Sequence, residues 1–166
     1  MESLEIILKN TDKAFNSNEK EKMCARKNGY YRNLLETLTP KNILPGVLEI
    51  LNRLKVREIK TAIGSSSKNT MMILQKVGLS GSFNAVADGN MIKNSKPDPE
   101  IFLLAAKLLD KNPADCVVVE DAVAGVEAAI KAGMYVVGVG SARHDERAHY
   151  KIPDLAHTDI DKLLCN

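Results

Sequence analysis

The sequence predicts an α/β protein in which a Rossmann-like parallel sheet carries helices on both faces and is preceded by a shorter helical part. Three observations predict it. From Pro45 onward, short aliphatic runs alternate with segments whose apolar residues recur at helical spacing, the order that builds parallel strands joined by right-handed crossover helices. Two of the runs, Cys116 to Val119 and Tyr135 to Val139, are uninterrupted by charged residues, as strands covered on both faces are. Residues 1–39 contain no such run and read as helical and polar.

Taken in order, Leu4, Ile7 and Leu8 form an apolar stripe behind Ser3, and a Glu- and Lys-rich helix runs from about Ser17 to Leu38, with Asn16, Ser17 or Asn18 as its N-cap. Thr39-Pro40 to Pro45-Gly46 breaks the pattern, so the domains divide as residues 1–40 and 41–166. Val47 to Leu54 has helical spacing. Ile59 to Ile63 is a strand ending in Gly64-Ser65-Ser66-Ser67, followed by a helix from about Asn69 to Val77. Asn84 to Ala87 is a weak strand. Pro97 and Pro99 open a helix from Asp98 to Leu109, and Cys116 to Val119 is a strand ending in Glu120-Asp121. A helix from Ala122 to Ala132 and a strand from Tyr135 to Val139 complete the series.

Composition narrows the class of partner. Lys and Arg number 23 against 21 Asp and Glu, a net charge of +2 spread along 166 residues, which gives no reason to expect nucleic acid or a membrane surface. No apolar run approaches the roughly 20 residues of a membrane span, and Met1 is followed by Glu2 rather than a leader, so the protein is expected to be cytoplasmic. Cys24, Cys116 and Cys165 are widely spaced without C-x-x-C, which argues against a disulfide framework or a zinc site.

In open parallel sheets ligands bind beyond the carboxyl ends of the strands, and three polar clusters fall there. Ser65-Ser66-Ser67-Lys68-Asn69 brings hydroxyls, a cation and helix N–H groups together, as a phosphate requires; its plainer reading is a loop whose serines only tie down orphan N–H groups. Glu120-Asp121 places two like charges at a strand end. That arrangement suits Mg²⁺ held by hard oxygens, or simple capping of the next helix by Asp121. Lys96 is held on an extended segment by Pro97, one helix before the carboxylates. His144, His149 and His157 lack ligand spacing and read as surface residues, and Lys20, Lys22, Arg26, Lys27 and Arg32 read as a solvated helix face. Gly138-Val139-Gly140 lacks the rest of a dinucleotide fingerprint.

Together the clusters resemble the haloacid dehalogenase superfamily and, within it, the β-phosphoglucomutases. Ile63 to Asn69 is similar to the second motif, Lys96-Pro97-Asp98-Pro99-Glu100-Ile101-Phe102 to the third, and Val119-Glu120-Asp121-Ala122-Val123-Ala124-Gly125-Val126 with Ala132-Gly133-Met134 to the fourth. Glu2-Ser3-Leu4 and Ala25-Arg26-Lys27-Asn28 resemble parts of the family's helical cap. The resemblance implies that Ser65 binds the transferring phosphoryl group, Lys96 neutralises its charge, and Glu120 and Asp121 hold Mg²⁺. It also implies that Ser67, Lys68 and Asn69 contact the substrate's distal phosphate, and that Ser3 and Lys27 reach in from the cap. The implied reaction interconverts β-glucose 1-phosphate and glucose 6-phosphate through a phospho-aspartyl enzyme, with a sugar-phosphate phosphatase as the related alternative.

One element of that pattern has no counterpart. The family opens with a strand and Asp-x-Asp-Gly, which supplies the nucleophile and the general acid/base. Nothing here matches it: Asp12 has no preceding strand, and Asp88-Gly89 lacks the preceding carboxylate. The expectation is a HAD-like core whose central first strand is missing, beside a partial cap, the chain starting inside the cap. Losing a buried strand forfeits on the order of 5–10 kcal/mol, against whole-domain stabilities of ~5–15 kcal/mol, so the chain alone is expected to be marginal. It is also expected to be inactive without a nucleophile, unless an N-terminal fragment complements it; a non-catalytic sugar-phosphate-binding remnant is the third reading. Ser65, Lys96, Glu120 and Asp121 are expected to face the unpaired edges of the strands ending at Ile63 and Val119.

Overall fold

The computed structural model describes residues 8, 11 and 13–164. The chain divides into two compact units, residues 1–38 and 39–166. In the first, helix α1 spans Ser17–Glu36. Its start is fixed by a capping box: Asn16 Oδ1 accepts the Glu19 N–H at 3.0 Å while Glu19 returns a carboxylate oxygen to the Asn16 N–H at 2.9 Å. Of the expected apolar stripe, Leu4 and Ile7 lie outside the described residues, as does Ser3.

The second unit opens with a 3₁₀ turn, Pro40–Asn42, and helix α2, Val47–Val56. Gly46, before α2, has φ of +85°, and a Cβ there would lie 2.3 Å from the Leu155 carbonyl carbon. Only glycine satisfies both the left-handed backbone and that approach. Strand β1, Ala62–Gly64, is shorter than its aliphatic run and starts later; α3, Thr70–Lys76, and β2, Ala85–Ala87, follow. Helix α4 covers Glu100–Leu108 and begins behind Pro99. Strand β3, Val117–Glu120, helix α5, Val123–Lys131, and strand β4, Tyr135–Val139, come next. A 3₁₀ turn at Gly140–His144, strand β5 at Tyr150–Ile152 and helix α6 at Ile160–Leu164 complete the chain; β5 and α6 are too short to carry a readable period.

All strand pairs are parallel, and the sheet lies in two hydrogen-bonded pieces, β1-β2 and β3-β4-β5. Among the described residues, β1 and β3 each leave one edge unpaired. Helices cover both faces. Val118 and Val136 pack with α4 and α5 through Ile101, Phe102, Ala105, Val126 and Ala129, whereas Val137 and Ile152 turn the other way to meet Leu163 of α6 and Ile50 of α2. Successive residues of a strand face opposite sides, so this alternation within β4 is what a doubly covered sheet demands. Among the described residues, no helix is long and apolar enough to cross a membrane.

Candidate active site

The polar clusters predicted from the sequence stand at the carboxyl ends of β1, β2 and β3. At the centre is an ion pair: Lys96 Nζ lies 2.7 Å from Glu120 Oε2, and the two side chains are only 17% and 8% exposed. Each is held from other directions. Glu120 Oε1 accepts the N–H groups of Asp121 and Ala122 at 3.2 and 3.1 Å, so the carboxylate folds over the first turn of α5. That fold requires Gly125, since a Cβ there would lie 2.0 Å from Glu120 Cδ. The Lys96 ammonium sits 4.4 Å from the centre of the Phe102 ring. Phe102 in turn packs on Gly64, where a Cβ would come within 2.9 Å of the ring.

The segment carrying Lys96 is anchored at both ends. Glu100, in the first turn of α4, accepts the N–H groups of Lys93 and Asn94 at 2.9 and 2.8 Å, and these two bonds hold its carboxyl below the usual carboxylate range. Lys131 of α5 reaches the Pro97 carbonyl at 3.4 Å and pairs with Glu127 at 2.7 Å. Arg147 joins the same network, donating to Glu127 at 3.2 Å and embracing Asp145 with bonds of 3.0 and 2.8 Å.

The serine loop meets this pair through Ser66, whose Oγ accepts the Lys96 N–H at 3.5 Å. Ser65 Oγ accepts the Ser67 N–H at 3.2 Å, and Ser67 Oγ accepts the Asn69 N–H at 3.1 Å. The serines thus stabilise their own loop, as the plainer reading required, while their hydroxyls and the exposed Lys68 remain at the strand end. Asp121 does not cap α5: Ala122 occupies the N-cap, and Glu120 supplies the carboxylate there. The Asp121 backbone carbonyl is fixed by the Ser141 hydroxyl at 2.6 Å, and its exposed carboxylate has no protein partner among the described residues. Lys27 lies on α1 of the other unit. Among the three histidines, His149 is exposed yet structural: its Nδ1 accepts the Val136 N–H at 3.0 Å and its ring stacks on Tyr135.

The donors fit a hard cation in kind, because Glu120 and Asp121 are consecutive carboxylates and the Asp121 carboxylate has no partner among the described residues, while Glu120 is engaged by Lys96 and two backbone N–H groups. Among the described residues no third carboxylate, histidine or cysteine joins them. Mg²⁺ commonly completes such a pair with water and phosphate. Two surface recesses, of about 570 Å³ between α2 and the start of β1 and about 450 Å³ at the end of α4, are lined by none of these residues. The sequence marks Ser66 only as a member of its serine cluster and gives Gly125 and Phe102 no role, since each acts through packing or a backbone contact rather than through charge.

A haloacid dehalogenase-like hydrolase family model matches residues 2–133. The chain is 42% identical over 144 residues to β-phosphoglucomutase of Bacillus subtilis (strain 168), covering 86% of this chain and 64% of that protein. It is 35% identical over 123 residues to the phosphorylated carbohydrates phosphatase of Thermotoga maritima, covering 72% of this chain and 57% of that one. The crystal structure of a β-phosphoglucomutase from Clostridium difficile superposes with a TM-score of 0.88 at 38% identity, over 98% of this chain and 74% of that chain.

Proposed function

The chain belongs to the haloacid dehalogenase-like hydrolase family, and from that premise we propose that it is a β-phosphoglucomutase-like protein acting on a small phosphorylated sugar. The observation that carries the reading is the Lys96–Glu120 pair at 2.7 Å, joined to Ser66 at the ends of β1 and β3. A shielded ammonium beside serine hydroxyls is suited to phosphoryl oxygens, because their growing negative charge meets a cation whose field is not quenched by water. In this reading the Ser65 hydroxyl and Lys96 hold the transferring phosphoryl group. Ser67, Lys68 and Asn69 hold the distal phosphate. Glu120 and Asp121 would hold Mg²⁺, which when bound supplies charge neutralisation at the phosphoryl oxygens.

Phosphoryl transfer also needs a nucleophile, and these 166 residues contain no Asp-x-Asp-Gly. We therefore assign to these residues the gripping of the phosphate, with its transfer drawing on a strand and that motif supplied by further polypeptide, continuous with these residues or complementing them. The unpaired edges of β1 and β3 among the described residues support a strand as the form of that supply. A sugar-phosphate phosphatase is the second reading, favoured by the similarity to the Thermotoga maritima phosphatase. The two differ in whether a sugar or water takes the phosphoryl group from the enzyme. Incubation with β-glucose 1-phosphate and Mg²⁺ tests all of this. The chain alone should form neither glucose 6-phosphate nor inorganic phosphate, and with a peptide of an aliphatic strand ending in Asp-x-Asp-Gly it should form glucose 6-phosphate. Turnover by the pure chain would refute the division of labour, and inorganic phosphate as the main product would favour the phosphatase.

A further inference from the structure

An anion-binding loop must do more than present donors: its backbone carbonyls, each an acceptor, have to be turned elsewhere. In this chain the turn after β2 takes them. Gly89 donates its N–H to the Ser67 carbonyl at 3.1 Å, and Asn90 Nδ2 donates to the Lys68 carbonyl at 3.1 Å. The Thr70 hydroxyl makes a second bond to the Ser67 carbonyl, at 2.8 Å. Two consecutive carbonyls of the serine loop are thereby fixed by a neighbouring turn. The turn itself is set by Asp88, a carboxylate only 6% exposed, whose oxygens accept the Asn90 backbone N–H at 2.9 Å and Asn90 Nδ2 at 3.2 Å. Both hydrogens of the Asn90 amide are therefore committed, one to Asp88 and one to Lys68. Close approach is obligatory as well, because a Cβ on Gly89 would lie 2.2 Å from the Ser66 carbonyl oxygen.

We propose that Asp88, Gly89 and Asn90 form a positioning clamp for the serine loop. They hold the Ser67 and Lys68 carbonyls away from the phosphate, so that hydroxyls, Lys68 and Asn69 are what a ligand meets. The proposal rests on the phosphate-binding reading of the loop and adds the residues that orient it. None of the three touches the ligand. Asn90 is the informative position, since it is exposed and its amide contributes one loop contact that alanine removes without opening a core cavity.

The test is an amide-resolved NMR comparison of the wild-type chain with Asn90→Ala and with Asn90→Asp, which sets an acceptor against the Lys68 carbonyl. Asn112→Ala, at an exposed side chain bonded among the described residues only to Asp115, serves as the control. In the free proteins, both Asn90 variants should shift the Lys68 and Asn69 amide signals and speed their hydrogen exchange, while β4 amides stay protected. On titration with inorganic phosphate, Asn90→Ala should weaken binding about threefold to tenfold, the scale of one lost hydrogen bond. Asn90→Asp should weaken it more, and the control should match wild type. Unchanged Lys68 and Asn69 amides in free Asn90→Ala, or unchanged phosphate affinity beside a wild type that binds, would overturn the clamp. A wild type that shows no phosphate response would instead overturn the binding reading, and the free-state exchange would still decide whether the turn orders the loop.

Discussion

In β4, Val136 and Val137 point to opposite faces and both are fully buried, whereas in β1 every residue from Ala62 to Gly64 stays partly exposed. Both strands come from similar aliphatic sequence. They differ in their neighbours: among the described residues β4 has a strand on each side, while β1 is paired only with β2 and β3 only with β4. The residues assigned to phosphate and Mg²⁺ follow the half-paired strands. Ser65 and Glu120 end β1 and β3, while the turn after β4 contributes the Ser141 hydroxyl that fixes the Asp121 carbonyl. The three-stranded piece therefore carries the packed core, and the seam between the two pieces carries the chemistry.

The sharpest way to break this contrast is Gly125→Ala, which drives a methyl group into the Glu120 carboxylate. Glu120 then loses Lys96 and its two N–H donors together, and destabilisation of about 3–5 kcal/mol is expected from urea denaturation. A variant as stable as wild type would mean that the carboxylate has another resting place. Lys96→Met follows, at about 2–3 kcal/mol, because Glu120 keeps its two N–H donors but loses its counter-charge. In the aliphatic residues the contrast is one of degree. Val137→Ala in β4 should cost about 1.5–3 kcal/mol, and Ile63→Ala in β1 roughly half as much, despite the larger side chain removed. Equal losses would show that the two pieces are equally well packed.

The smallest effect is on the exposed rim of the three-stranded piece. Hydrogen bonds from Arg147 hold the Asp145 carboxyl down at about 2, and Lys131 and Arg147 lower Glu127 in the same sense. A folded-state value below the unfolded value of about 3.9 stabilises the fold fully above about pH 4, and that contribution disappears as pH falls through about 2. The melting temperature should fall over that window, and Asp145→Asn should flatten that part of the profile. A profile unchanged by the substitution would show that the Arg147 pair does not report on folding.

Much of this is legible in the amino-acid sequence itself. The alternation after Pro45 predicts the α/β order, and the strand and helix placements differ from it by a few residues at their ends. Those differences have a physical source. Ile59 to Thr61 fall outside the strand because Lys60 and Thr61 interrupt the apolar run and Thr61 bonds to Asn84 before regular pairing with β2 begins at Ala62. β5 and α6 went unread because three and five residues carry no measurable period. At the site, charge made Lys96, Glu120 and Asp121 visible. Gly125 and Gly89 were invisible as site residues, because what they contribute is the absence of a side chain where another group must pass. Asp88 lacks the second carboxylate that Asp-x-Asp-Gly requires, and its role is to order a turn.

Calorimetric titration of glucose 6-phosphate into the chain with Mg²⁺, run beside Lys96→Met, bears most directly on the central idea that a shielded lysine and acidic pair grip a phosphate. Saturable one-to-one binding by the wild type, weakened at least tenfold in the folded variant, is the predicted result. Equal binding by both proteins, or heat no greater than dilution from the wild type, would contradict it.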